Sequence, residues 1–169
     1  MSVGVQLRCG IETAMPLPAA AVTEPVHFPQ VQSKDLNGHA VTLPRDLPGE
    51  RTVVILGWER GQQSSIESWA KAMAPAAGSA WLSVPVIDTS NGFLRMIINS
   101  GMRHGIPNHA WWPHIVTLYT RKAEFNQQVG VASETQVQAL VVDREGNILE
   151  RVVGNYTEAG ADRLRAALQ

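Results

Sequence analysis

The sequence predicts an α/β fold, a central mixed sheet flanked by helices with a β-hairpin at its N-terminal end. Three observations predict it. Apolar, β-branched runs recur at T-V-V-I-L-G-W, W-L-S-V-P-V-I-D and V-Q-A-L-V-V-D, the pattern of strands buried on both faces. Segments with helical periodicity separate or follow them. Asn37-Gly38 stands between V-Q-S-K-D-L and H-A-V-T-L, a short-hairpin signal.

The elements follow in order. After the hairpin, Pro48 to Glu50 turn the chain into the first buried strand. Ser64-Ser65 can cap a helix beginning near Ile66, with Glu67 supplying negative charge to its first turn. Ile66, Trp69, Ala70 and Met73 share one helical stripe, and Pro75 with Gly78 should end it. W-L-S-V-P-V-I-D is the second strand. Asn91-Gly92 opens a helix through F-L-R-M-I-I-N-S-G-M-R, and strand–helix–strand order favours a parallel pair with a right-handed crossover. The prolines of H-G-I-P-N-H-A-W-W-P-H predict irregular chain, and L-Y-T-R-K-A-E-F-N-Q-Q a further helical piece. V-Q-A-L-V-V-D, the turn R-E-G-N and I-L-E-R-V-V form an antiparallel pair, after which Thr157 or Glu158 opens a terminal helix.

Composition bounds the function. The chain has 169 residues, 44% hydrophobic and 17% charged, with net charge −1. That suits one domain and gives no general attraction for nucleic acid or anionic membrane. No apolar run reaches the roughly 18 residues needed for a membrane-spanning helix. Cys9 is the single cysteine, so no internal disulfide framework exists. The first residues are weak as a secretory signal, because Arg8 is the only early positive charge and Glu12, Pro16 and Pro18 interrupt the apolar stretch. Residues 1–26 are expected to be a flexible arm, residues 27–169 the domain, and the location cytoplasmic or membrane-peripheral.

F-P-Q-V near the start, the apolar strand into W-E-R-G-Q-Q-S-S and V-V-D-R-E-G-N-I near the end resemble the thioredoxin-like fold in its peroxiredoxin-type elaboration. The resemblance covers roughly Phe28 to Leu168. It implies a reactive cysteine in the turn after the first central strand, beginning at Arg60-Gly61. In that register Ser64 holds the nucleophile's place and Val137 that of a cis-proline. A serine hydroxyl forms neither a sulfenic acid nor a disulfide, so thiol chemistry cannot run through it.

Ser68-Trp69-Ala70-Lys71-Ala72-Met73, then Tyr119, Arg121 and Lys122, then Asp143, Gly146, Ile148, Gly154, Thr157 and Glu158 are similar to a cysteine-poor branch of this fold. That branch comprises the assembly factors of the ATP synthase membrane sector. The resemblance implies a chaperone-like role with a membrane-sector subunit as protein partner, and no cofactor. The chain departs from the branch at Glu150, where the family has tryptophan, and at Tyr156, where it has glycine.

Candidate binding residues are Arg60, Gly61, Gln62, Gln63, Ser64 and Ser65 in the turn, with His109, Trp111 and Trp112 in the proline-bounded loop. The C-terminal end of a strand is where open α/β sheets place ligands, and Arg60 beside a helix N-terminus could hold an anion or pair with Glu59 or Glu67. An exposed tryptophan is a partner anchor; the alternative is that Trp111 and Trp112 both pack the loop onto the sheet. His104, His109 and His114 recur every five residues, about 140° apart on a helix, so metal binding would need a non-helical chain. Ser64 as a nucleophile would need one of those histidines as its base. Arg95, Arg103, Arg121 and Lys122 are too scattered for a nucleic-acid surface. Three readings remain open: a non-catalytic interaction or assembly protein, a peroxiredoxin-like thiol enzyme using Cys9 or a partner's thiol, and a small-anion or metal binding domain.

Overall fold

A computed structural model describes residues Val26–Gln169. Cys9, and the expected arm apart from Val26, lie outside the described residues. The hairpin forms from β1 (Val31–Asp35) and β2 (Ala40–Leu43), with Gly38 at φ 89° in its turn, a conformation that favours glycine. Then come β3 (Arg51–Gly57), α1 (Gln63–Ala77), β4 (Trp81–Ile87), α2 (Gly92–Gly105), β5 (Val116–Tyr119), α3 (Lys122–Val129), β6 (Gln138–Asp143), β7 (Ile148–Val153) and α4 (Glu158–Ala167). The sheet order is β2-β1-β5-β4-β3-β6-β7. β3, β4 and β5 run parallel; β1 pairs antiparallel with β5 and β6 with β3, while β2 and β7 pair antiparallel with β1 and β6 at the two edges.

Alternation along the central strands makes two cores. On one face Val54, Leu56, Leu82, Val84, Val116 and Leu118 pack with Phe28, Phe125 and Val129. On the other, Val53, Ile55, Trp81, Ala139 and Val141 pack against Ile66, Trp69, Ala70 and Met73 of α1 and Ala161 and Leu164 of α4. Trp69 is fully buried and donates its indole N–H to the Gly154 carbonyl at 2.9 Å.

Three expectations are corrected. Val116–Tyr119 form a strand, β5, where the sequence predicts helix from Leu118; α3 begins only at Lys122. Four residues are too few for a period to declare itself, and β5 is fixed instead by its neighbours β4 and β1. Ser64 and Ser65 do not cap α1, because a 3-10 turn over Arg60–Gln62 has already started the helix at Gln63. Glu67 accordingly lies beyond the first turn, accepting a bond from the Gln63 amide at 3.1 Å. Finally, α1 runs through Pro75 to Ala77 and stops at Gly78 (φ 60°). The proline falls in the last turn of the helix.

Candidate functional site

The turn after β3 is closed by an amide. Gln62 is buried, and its Oε1 accepts from the backbone N–H groups of Trp58 (2.8 Å) and Glu59 (3.2 Å). Its Nε2 donates to the Glu134 carbonyl at 2.6 Å, tying the turn to the loop before β6. Gly57 permits this closeness from the helix side, since a Cβ there would lie 2.5 Å from Ile66 Cδ1.

A polar network continues outward. The Trp58 indole N–H donates to Asn126 Oδ1 at 3.0 Å, and Asn126 Nδ2 donates to Glu134 Oε1 at 2.7 Å. Lys122 Nζ reaches both the Trp58 carbonyl (3.4 Å) and Glu134 Oε2 (3.5 Å). Ser65 donates its hydroxyl to Asn155 Oδ1 at 2.6 Å, fastening the start of α1 to the β7–α4 connection. Two of the six turn residues therefore serve the scaffold. Arg60, Gly61, Gln63 and Ser64 face solvent. The Arg60 guanidinium makes no hydrogen bond or ion pair among the described residues, so the pairing with Glu59 or Glu67 does not form. No histidine hydrogen-bonds Ser64 or Ser65 among the described residues.

Beside the turn, between α1 and the α2–β5 connection, lies an open groove of about 260 Å³. Gln63, Ile66, Glu67, Ala70 and Lys71 form one wall, Trp81, Ser83 and Pro85 the floor, and Met102, Ile106, Pro107, Asn108 and Trp111 the other wall. Here the fold brings together Gln63 and Trp111, two sequence candidates 48 positions apart in the chain. Trp111 is half-buried, its ring edge-on to Trp81 at 5.5 Å.

The remaining loop candidates go elsewhere. Trp112 donates its indole N–H to the Ile106 carbonyl at 2.9 Å, and the exposed His109 ring lies over it at 4.2 Å. His114 stacks on Trp81 at 4.4 Å with Nδ1 2.8 Å from the Trp81 carbonyl, while His104 Nδ1 lies 2.8 Å from its own helix's Ser100 carbonyl. The three histidines thus have separate surroundings, and no group of three metal-ligating side chains forms among the described residues. The segment itself is a 3-10 helix over His109–His114, capped by Asn108. Sequence reasoning missed Trp81, Asn126, Glu134 and Asn155. Trp81 opens a strand and so read as core; for the other three no local pattern exists, because their partners are distant in the chain.

No protein-family model matches the chain, and no curated protein does. Solved structures do. A thioredoxin-family thiol:disulfide interchange protein from Chlorobium tepidum TLS superposes with a TM-score of 0.54 at 18% identity, over 86% of this chain and 97% of that one. MTB dsbF gives 0.52 at 20% identity, covering 83% and 96%. The exposed lipoprotein thioredoxin Etrx1 of Streptococcus pneumoniae gives 0.54 at 14% identity, covering 83% and 98%. The fold is thioredoxin-like. At these identities the likeness carries the architecture alone.

Proposed function

We propose that this chain is a thioredoxin-like protein that binds a protein segment beside the turn instead of performing thiol chemistry there. The observation that supports it most is the Gln62 amide. The inward position of the turn is filled by a side chain whose bonds hold the turn to itself and to the loop before β6. The chain has no cysteine from Gly10 onward, so the turn supplies a preformed surface and no reacting atom.

The groove suits one apolar side chain of a partner with its backbone lying across the opening. Its volume falls below the roughly 300–1,000 Å³ of pockets that enclose small ligands. Gln63, Glu67, Lys71 and Asn108 at its edges offer hydrogen bonds to a peptide backbone. Arg60, Gly61, Gln63 and Ser64 extend the surface on one side, with Trp111 as the aromatic anchor; Gln62 and Ser65 act by holding it in shape. Trp112 and His109 pack on each other outside the groove's lining. The motifs shared with ATP synthase assembly factors favour a membrane-sector subunit as the partner.

Affinity capture of tagged full-length protein from gently solubilised cells, followed by mass spectrometry, tests this. Wild type should retain ATP synthase membrane-sector subunits, and Arg60→Ala and Trp111→Ala should each lose them while keeping most of the wild-type melting temperature. Loss that only tracks stability would remove the surface, and recovery of other partners would remove the assembly assignment while keeping the binding one.

The thiol reading draws support from the names of the structural neighbours, two of which are thiol:disulfide interchange or Dsb proteins. It requires Cys9 or a partner's thiol. Peroxide consumption with a thiol reductant, present in wild type and absent in Cys9→Ser, would establish it; inactivity of both would end it.

A further inference from the structure

The floor of the groove beside α1 holds two polar groups without partners. Ser83 lies on β4, between β3 and β5, so its backbone is engaged and its side chain is what lines the groove. It is 7% exposed. The hydroxyls of Ser33, Ser65 and Ser68 each donate to an acceptor; that of Ser83 makes no hydrogen bond among the described residues. Trp81, two positions earlier on the same face, is 3% exposed. The indole N–H groups of Trp58, Trp69 and Trp112 have acceptors, and that of Trp81 has none among the described residues. No buried side-chain polar atom among these residues is shut away without a partner. Both groups are therefore open, and for side chains placed this deeply the opening is the groove that both line. Around them the walls are apolar, with Ile66, Pro85, Met102 and Ile115.

We propose that the side chain this groove takes from a partner is a tyrosine, its ring among the apolar walls and its hydroxyl on Ser83 and Trp81. The proposal rests on the reading of the groove as a docking surface for a protein segment. Polar complementarity selects the occupant. A hydrocarbon side chain would cover the Ser83 hydroxyl and the Trp81 N–H without satisfying either, at the cost of their desolvation. A charged tip would meet no opposite charge on the floor, because the ionisable groups of the lining, Glu67 and Lys71, have opposite signs and both belong to α1. Tryptophan brings an N–H but no acceptor for that of Trp81, and an amide brings extra donors and no ring to pack on Trp81 and Trp111. A phenol hydroxyl donates and accepts through one oxygen at the far end of a flat apolar body. The occupant comes from another protein, since the chain's own tyrosines are engaged: Tyr119 donates to Asn99 and Tyr156 to Glu158.

The test titrates full-length protein with the blocked peptide Ala-Ala-Tyr-Ala-Ala and with its phenylalanine counterpart, following the indole N–H signals of Trp81 and Trp111 by NMR. The tyrosine peptide should bind roughly three- to tenfold more tightly. In Ser83→Ala that preference should fall through lost tyrosine affinity, and the phenylalanine peptide, which the hydroxyl does not serve, reports that the groove is intact. Equal binding of the two peptides by wild type, or a preference unchanged in Ser83→Ala, overturns the tyrosine assignment and leaves the docking surface standing. Binding of neither peptide at millimolar concentration overturns it as well; a captured partner that Trp111→Ala loses would then keep the groove for a different side chain. Para-cresol binding as tightly as the tyrosine peptide would give the groove to a free phenol and overturn the partner segment.

Discussion

α1 and α2 each follow a buried parallel strand, and each is a regular helix of similar length, 15 and 14 residues. They differ in what faces the sheet. α1 turns Ile66, Trp69, Ala70 and Met73 inward and becomes part of the core. α2 half-buries Arg95, Ile98, Asn99 and Met102 and buries no residue fully; Asn99 and the Arg95 carbonyl meet the Tyr119 hydroxyl, and Met102 Sδ lies 3.3 Å from the Thr117 hydroxyl. Caps and periodicity make a helix in both cases; the residues on its inner face decide whether it is sealed or merely tethered. The groove exists because the tethered helix does not close against the sealed one.

The sharpest way to break this contrast is a matched pair of truncations. Trp69→Ala removes a fully buried ring and leaves the Gly154 carbonyl without its indole donor, so it should cost about 3–5 kcal/mol. Phe93→Ala, on an exposed position, should change stability by less than about 0.5 kcal/mol. Urea midpoints of the two variants check this. Equal losses would mean that α2 is as much a part of the core as α1.

The turn gives the next largest effect. Gln62→Leu keeps the volume but strands the N–H groups of Trp58 and Glu59 and the carbonyl of Glu134, for about 2–3 kcal/mol. Arg60→Ala, two residues away and exposed, should be close to neutral. A thermal melt that ranks them the other way would show that the turn is not held by its amide.

How far the sequence carried differed between these regions for the same reason. Long apolar strands and the stripe Ile66–Met73 announce themselves because burial on a regular element imposes a period. The Asn91 and Thr157 caps were legible because a side chain serves its own neighbours: Asn91 accepts from Phe93 and Leu94, Thr157 from Gly160. β5 was not, being four residues long and stabilised from both sides by strands distant in sequence. Within the site, Arg60, Gly61, Gln63 and Ser64 are exposed, and Gln63 and the half-buried Trp111 line the groove. Gln62 and Ser65 were singled out for binding and instead hold the turn. Asn126, Glu134 and Asn155, their partners and neighbours, carried no local signal because each meets the turn only after folding.

A smaller effect tests the tether of α2. Asn91→Ala removes the cap on the Phe93 and Leu94 N–H groups and should cost about 1 kcal/mol. In a sealed helix that loss appears in global stability. In α2 it should appear first as faster amide hydrogen exchange confined to Phe93–Asn99, with the urea midpoint almost unmoved. Uniform loss of protection across α1 and α2 would put the two helices in one cooperative unit.

The smallest effect is electrostatic and belongs to the well-held half. Burial pushes the Asp143 carboxyl up, but hydrogen bonds from the Asn147 side chain and backbone and from the Glu145 and Gly146 N–H groups outweigh it, and the group sits below its ordinary value. Glu150 is likewise lowered, chiefly by the Arg151 N–H, with burial opposing and Arg163 assisting. A carboxylate lowered on folding stabilises the native state fully above its unfolded pKa, and that stabilisation is lost as pH falls through the folded pKa. Asp143→Asn should therefore be less stable than wild type at neutral pH, and the gap should shrink as the solution passes below the ordinary carboxylate range. α2 has no carboxylate of its own, so acid should raise exchange in the β6–β7 hairpin more than in α2, relative to each region's value at neutral pH. A pH-independent gap between wild type and Asp143→Asn would assign the difference to packing in the β6–β7 turn, where Gly146 presses against His27 and Phe28, and would leave charge no part in what holds this half of the sheet together.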